Sequence, residues 1–184
     1  MKICAFTGHR PKSFPWGYNE TAQDCVLLKK VLAEQITALV NDGVTGFISG
    51  MALGVDLWAA QIVLDLRKEN PVLKLCCALP CEGQEEKWPA RTQEQYRSIL
   101  EQADKVIYVS KAYHPDCMLE RNRYMVDHAS VLLAVYNGTR RSGTGATVSY
   151  AQRMDREITV IDPITRFVNH RGGNLYIKKG YCQY

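Results

Sequence analysis

The chain has 184 residues, 46% of them apolar and 23% charged, with a formal charge of +4. That length carries one domain of ordinary size with a substantial core. The composition excludes a disordered tail, a collagen-like fibre and a coiled coil. No apolar run approaches the ~18 residues of a membrane span, and the opening MKICAFTGHRP turns polar too early for a signal peptide. The first 92 residues carry 10 basic and 10 acidic side chains and the remainder 13 and 9, so the whole basic excess lies in the second half.

Short apolar runs alternate with stretches of helical period. Lys2–Thr7, Thr45–Ser49, Leu73–Leu79, Lys105–Ser110, Val131–Tyr136 and Glu157–Ile161 read as strands. They are mostly continuous in apolar character, as strands covered on both faces are. Between them, Leu27, Leu28, Val31, Leu32, Ile36, Leu39 and Val40 form one helical stripe, and Val55, Trp58, Ala59, Ile62, Val63 and Leu66 another. Helical patterns also fit Thr92–Gln102, Cys117–His128, with Asp116 as its N-cap, and Gly145–Arg156. Strand–helix alternation predicts an α/β fold, a Rossmann-like three-layer α/β/α arrangement with a mainly parallel sheet of about six strands. The expected division is one domain over 1–163 and a C-terminal extension over 164–184, read as a short hairpin around Gly172-Gly173.

In such sheets ligands bind beyond the carboxyl ends of the strands. After the first strand come Gly8, His9 and Arg10, the glycine for close backbone approach and the guanidinium for phosphate or carboxylate. No G-x-G-x-x-G fingerprint is present, which counts against an ordinary dinucleotide-dependent dehydrogenase. After the second strand, Ser49, Gly50, Gly54 and Asp56 lie at a strand-to-helix junction, where free N–H groups and the helix dipole suit an anion. Small residues there also let helix and strand pack closely. Asp56 either complements the dipole or meets a ribose hydroxyl. After the fifth strand, Arg140, Arg141, Ser142, Gly143 and Thr144 offer guanidinium groups, hydroxyls and bare amides before another helix, the chemistry of a phosphate cradle.

The fourth helix carries Glu120, Arg121 and Asp127. Its two carboxylates are seven residues apart, roughly 10 Å along one face, too far for a tight pair but open to separate tasks. Trp88 and Tyr96 either stack on a base or anchor their loop. His9, His114, His128 and His170 are scattered. The cysteines, Cys4, Cys25, Cys76, Cys77, Cys81, Cys117 and Cys182, are odd in number with no C-x-x-C pair and no zinc spacing to histidine. They read as reduced thiols of a cytoplasmic protein, with no metal site.

The ordered set TGHRP, SGMALGVD and RRSGTGATVSYA, from about Lys2 to Pro163, resembles the SLOG superfamily of Rossmann-like domains, and within it the YpsA-like bacterial group. Ser49–Asp56 and Ser142–Ala151 are similar to segments of the DprA family, a resemblance that implies single-stranded DNA binding. Met118–Arg121 with Met125, and Gly143-Thr144, echo the LOG phosphoribohydrolases, which cleave nucleoside monophosphates at the N-glycosidic bond. That family supplies a glutamate where this chain has Thr147, and a hydroxyl cannot serve as a carboxylate base. Glu120 and Asp127 are the substitutes the sequence offers. The resemblance implies first a cytoplasmic sensor or regulator binding a nucleotide or ADP-ribose-like ligand. Second is an N-glycosidic-bond hydrolase or transferase, and third a DNA-binding protein. No membrane partner is expected, nucleic acid is less favoured than a small molecule, and exposed helices admit a homodimer.

Overall fold

The computed structural model describes residues 1–171. In chain order its elements are β1 (Lys2–Gly8), α1 (Gln23–Asn41), β2 (Val44–Ser49), α2 (Val55–Arg67), β3 (Lys74–Leu79), α3 (Ala90–Gln102), β4 (Lys105–Tyr108), α4 (Cys117–Asp127), β5 (Val131–Val135), α5 (Gly143–Arg153), β6 (Glu157–Ile161) and β7 (Val168–Arg171). The strands form one sheet in the order β4–β3–β2–β1–β5–β6–β7, parallel from β4 to β6 with β7 antiparallel at the edge. This is the Rossmann-like three-layer architecture, with all six expected strands present.

A seventh strand, formed by the first run of the expected tail hairpin, joins the edge of the sheet. Val168–Arg171 pairs with β6, Ile161 opposite Val168 and Ile158 opposite Arg171. The chain reverses between them because Asp162 caps the turn, its Oδ1 accepting the N–H groups of Ile164 at 2.9 Å and Thr165 at 2.8 Å. The rest of the expected hairpin, beyond Arg171, lies outside the described residues.

Each right-handed crossover places its helix on a side fixed by the direction of travel. Four strands laid down one way put α1, α2 and α3 on one face, and the return through α4 and α5 covers the other. On the first face Cys25, Leu28, Leu32, Ile36 and Leu39 of α1 and Val55, Trp58, Val63 and Leu64 of α2 pack over Phe6 and Phe47, whose rings stack at 5.7 Å. Each large side chain buried there is worth ~1.5–3 kcal/mol. On the second face the sheet presents small residues, Ala5, Ala78 and Ala134, beneath Met125, Val126 and Val148. Gly8 lets α2 approach β1: a Cβ there would lie 2.5 Å from Val55 Cβ.

Tyr96 is buried and meets Trp88 edge-on at 5.4 Å, so this pair anchors the loop before α3 on the core. Cys4, Cys25, Cys77, Cys81 and Cys117 are buried free thiols and Cys76 is half-buried. Burial pushes the thiols of Cys4 and Cys77 up to about 12.

After β4 the chain crosses back to place β5 beside β1. The connections leaving β1 and β5 therefore run to opposite faces, and a crevice opens between their carboxyl ends.

Candidate functional site

That crevice holds a cavity of about 330 Å³. Gly8, His9, Arg10, Lys12 and Ser13 from the β1 loop line it, with Ala52 and Asp56 from the β2–α2 junction. Met118, Arg121 and Asn122 of α4 and Ser142, Gly143 and Thr144 at the start of α5 complete the wall.

The β1 loop is held by backbone and ring. The His9 N–H donates to Val135 O at 3.3 Å, carrying the β1–β5 pairing one residue further. The buried His9 ring places Nε2 2.8 Å from Asn137 Oδ1. Arg10 is then extended and exposed, ahead of the 3-10 turn Pro11–Ser13. Among the described residues its guanidinium has no ion-pair partner.

The turn after β2 is closed by its own side chains. Met51 and Gly54 take left-handed backbone angles, φ 55° and 90°. Ser49 Oγ donates to Asp56 O at 2.9 Å and accepts the Met51 N–H at 3.1 Å. Asp56 Oδ2 accepts the Ala52 N–H at 3.3 Å. Two amides that would cradle an anion are thus occupied, and a carboxylate already sits at the α2 N-terminus. An anionic ligand finds repulsion here; a hydroxyl or amine finds an acceptor.

Facing this turn is Arg121, 3% exposed. Its Nη1 donates to Gly50 O and lies 3.8 Å from Asp56 Oδ2, and its Nε donates to Asn122 Oδ1 at 2.9 Å. A Cβ on Gly50 would collide with this guanidinium, so the glycine clears the space the pair needs. Burial pushes the Asp56 carboxyl above its ordinary range, against the opposing pull of Arg121 and the Ala52 N–H. Burial likewise lowers Arg121, with Asp56 countering.

On the far wall Ser142 caps α5, its Oγ accepting the Gly145 N–H at 3.0 Å and donating to Thr139 O at 2.7 Å. The loop folds tightly over the helix start, since a Cβ on Gly145 would lie 2.7 Å from Thr139 O. Thr147 turns inward and donates to Gly143 O at 2.9 Å.

Of the residues singled out from sequence, Gly8, His9, Arg10, Asp56, Arg121, Ser142, Gly143 and Thr144 line one cavity. Ser49, Gly50 and Gly54 form the supporting turn behind it. Arg140 and Arg141 are exposed on the capping loop, outside the cavity wall. Glu120 is also outside, bonded to Ser110 Oγ at 3.0 Å and 3.1 Å from His114 Nε2. Asp127 sits at the C-terminal end of α4, near the amino ends of the strands, where it accepts Tyr150 OH at 2.9 Å. The carboxylate in the cavity wall is Asp56. Thr7, Lys12, Ser13, Ala52 and Asn122 join the site without having been named as site residues, and Met118 comes from the segment that resembles the LOG family. Lys12 and Ser13 could be found from their place two and three residues after Arg10; Asn122 carries no sequence signal. Among the described residues no group of three His, Cys, Asp or Glu side chains is placed to hold a metal.

The YspA SLOG family model matches residues 4–165, nearly the whole chain. The chain belongs to the YspA SLOG family. UPF0398 proteins of Bacillus thuringiensis (strain Al Hakam) and Bacillus cereus (strain G9842) are each 36% identical over 140 residues, covering 74% of this chain and 75% of theirs. Among solved structures, DNA processing protein A from Helicobacter pylori aligns with TM-score 0.60 at 19% identity, covering 94% of this SLOG chain and 69% of its own. The DprA protein of Streptococcus pneumoniae aligns with TM-score 0.58 at 17% identity, covering 89% of this chain and 53% of that one. This YspA SLOG chain thus spans about half the length of the streptococcal protein. At these identities the likeness establishes a shared fold.

Proposed function

We propose that this SLOG protein is a cytoplasmic sensor or regulator that holds a phosphorylated, nucleotide-derived ligand between the carboxyl ends of β1 and β5. The charge of the cavity carries the reading. Arg10, Lys12 and Arg121 outweigh the single carboxylate of Asp56 in its wall, and the N-terminus of α5 adds its dipole. A phosphomonoester brings about −1.5 to −2 at neutral pH and offsets that surplus. Because Asp56 occupies the α2 turn, the phosphate belongs with Arg10, Lys12 and Ser142–Thr144. A volume of about 330 Å³ stands at the small end of the ~300–1,000 Å³ range of ligand pockets, which suits a mononucleotide.

Mass spectrometry of small molecules released from the purified protein, followed by calorimetric titration with nucleoside 5′-monophosphates, tests the proposal. A retained or titrated nucleotide supports it; no binding at millimolar concentration of any of them overturns it. Single-stranded DNA is the second reading, prompted by the likeness to the Helicobacter pylori protein, which has a single-stranded DNA binding mode. Binding to DNA falls steeply with salt as counterions are released. A gel-shift series over ionic strength therefore separates the two ligands.

A further inference from the structure

Resting on that reading, we propose that the Asp56–Arg121 pair on the cavity floor receives the sugar hydroxyls of the nucleotide, making this a site for ribonucleotides with an intact cis-diol. Asp56 is 6% exposed, and what remains accessible opens into the cavity it lines. One carboxylate oxygen, Oδ2, is engaged by the Ala52 N–H and faces the Arg121 guanidinium. The other, Oδ1, has no hydrogen-bond partner among the described residues. An acceptor that opens into the cavity with no protein partner is free to take a neutral donor from the ligand. Arg121 is committed through Nη1 and Nε to Gly50 and Asn122, whereas Nη2 meets only the Met118 sulfur, at 4.0 Å. Donor and acceptor thus stand side by side, the arrangement that takes a hydroxyl as donor on one side and acceptor on the other.

Size decides which part of a nucleotide reaches them. A compact space of 330 Å³ is about 9 Å across. With the phosphate against Arg10 and the α5 N-terminus, the hydroxyls of the same nucleotide lie within that span. The pairing edge of the base lies further from the phosphate and projects toward the open mouth. The floor therefore reads the sugar, and a DNA strand, lacking the 2′-hydroxyl and with its 3′-oxygen esterified, leaves Asp56 Oδ1 unpaired.

The test titrates the wild-type protein with AMP, GMP, CMP and UMP and with the 2′,3′-dideoxy 5′-monophosphates of the same bases, at fixed salt and pH. The expected result is that every ribonucleotide that binds does so about tenfold or more tighter than its dideoxy counterpart. Arg10→Ala weakens both series by the same factor, and Asp56→Asn abolishes the difference between them. Equal affinity of ribo and dideoxy forms overturns the sugar assignment while leaving nucleotide binding intact. Selection by base with indifference to the hydroxyls also overturns it. Absence of binding in both series refutes the underlying reading instead. Because wild-type protein carries the decisive comparison, a folding defect in Asp56→Asn does not blunt the test.

Discussion

Replacing Arg121 by methionine removes one charge of the buried pair while keeping a side chain of comparable length. At 3.8 Å the attraction lost is about 4 kcal/mol at the effective dielectric of protein sites. The substitution also deletes the hydrogen bond to Gly50 O, while Met125 and the rest of the helix contact stay in place. Stripping a partner from a buried ion pair costs ~3–5 kcal/mol, because the remaining charge is stranded without water. Urea denaturation of ligand-free protein, with the usual slope of ~1–3 kcal/mol per molar, should show a midpoint lower by roughly 1–5 M. The pH dependence carries the sign. Burial already raises the Asp56 carboxyl, with Arg121 holding it back. Without Arg121 its folded value rises further above the unfolded one, so the penalty is full above that value and fades as pH falls through it. The variant should accordingly recover toward wild type as pH falls from 8 toward the ordinary carboxylate value near 4, and Asp56→Asn in the same background should recover stability at pH 8. A loss below 1 kcal/mol, or one unchanged across that range, would refute the idea of a stranded buried charge.

Gly8→Ala forces a methyl group into Val55, and overpacking of that kind should lower stability by ~1–3 kcal/mol in the same denaturation assay. Asp104 accepts the Leu75 N–H at 2.9 Å and pairs with Arg67 at 2.8 Å and Lys74 at 3.0 Å. Burial opposes its ionisation, but these partners together hold its carboxyl below the usual range. Its contribution is therefore present above the unfolded value near 4 and is lost as pH falls through the lower folded value. Asp104→Ala should cost roughly 1.5–3 kcal/mol at pH 7, and the gap to wild type should close below pH 4. Arg10→Ala should weaken a bound 5′-monophosphate by ~1.5–3 kcal/mol in calorimetry, whereas Arg141→Ala, outside the cavity, should leave affinity within about twofold; equal losses would move the phosphate to the capping loop.

The layered fold and the position of the rim were legible because continuous apolar strands and helical stripes alternate without interruption. The helix boundaries shifted where capping decides: α5 begins at Gly143 because Ser142 caps it, and ends before Asp155, whose φ of 53° breaks the helical run. The antiparallel strand β7 was read as belonging to the tail because its pairing with β6 depends on the Asp162 turn, a side-chain device with no periodicity. At the site, Asp56 was visible beside the glycines of the β2–α2 turn and Arg121 as a charge on the fourth helix. Their partnership was not, since it spans 65 positions and rests on Gly50 standing aside. Adjacent Arg140 and Arg141 have the composition of a phosphate cradle, yet the tight Thr139–Gly145 wrap over the helix start leaves both outside the cavity.

The buried thiols make the sheet a clock for its own opening. Cys4 in β1 and Cys77 in β3 lie beside β2 from opposite sides, are fully covered, and have thiols at about 12. At neutral pH burial keeps both positions in the thiol form, so a thiol-specific reagent has almost nothing to attack in the closed protein. Modification of those two sites must wait for β1 or β3 to separate from its helices, and its rate measures how often the central sheet does so. If the ligand clamps the crevice beyond the end of β1, saturating nucleotide should slow labelling at Cys4, turning a silent sulfur into a reporter of occupancy.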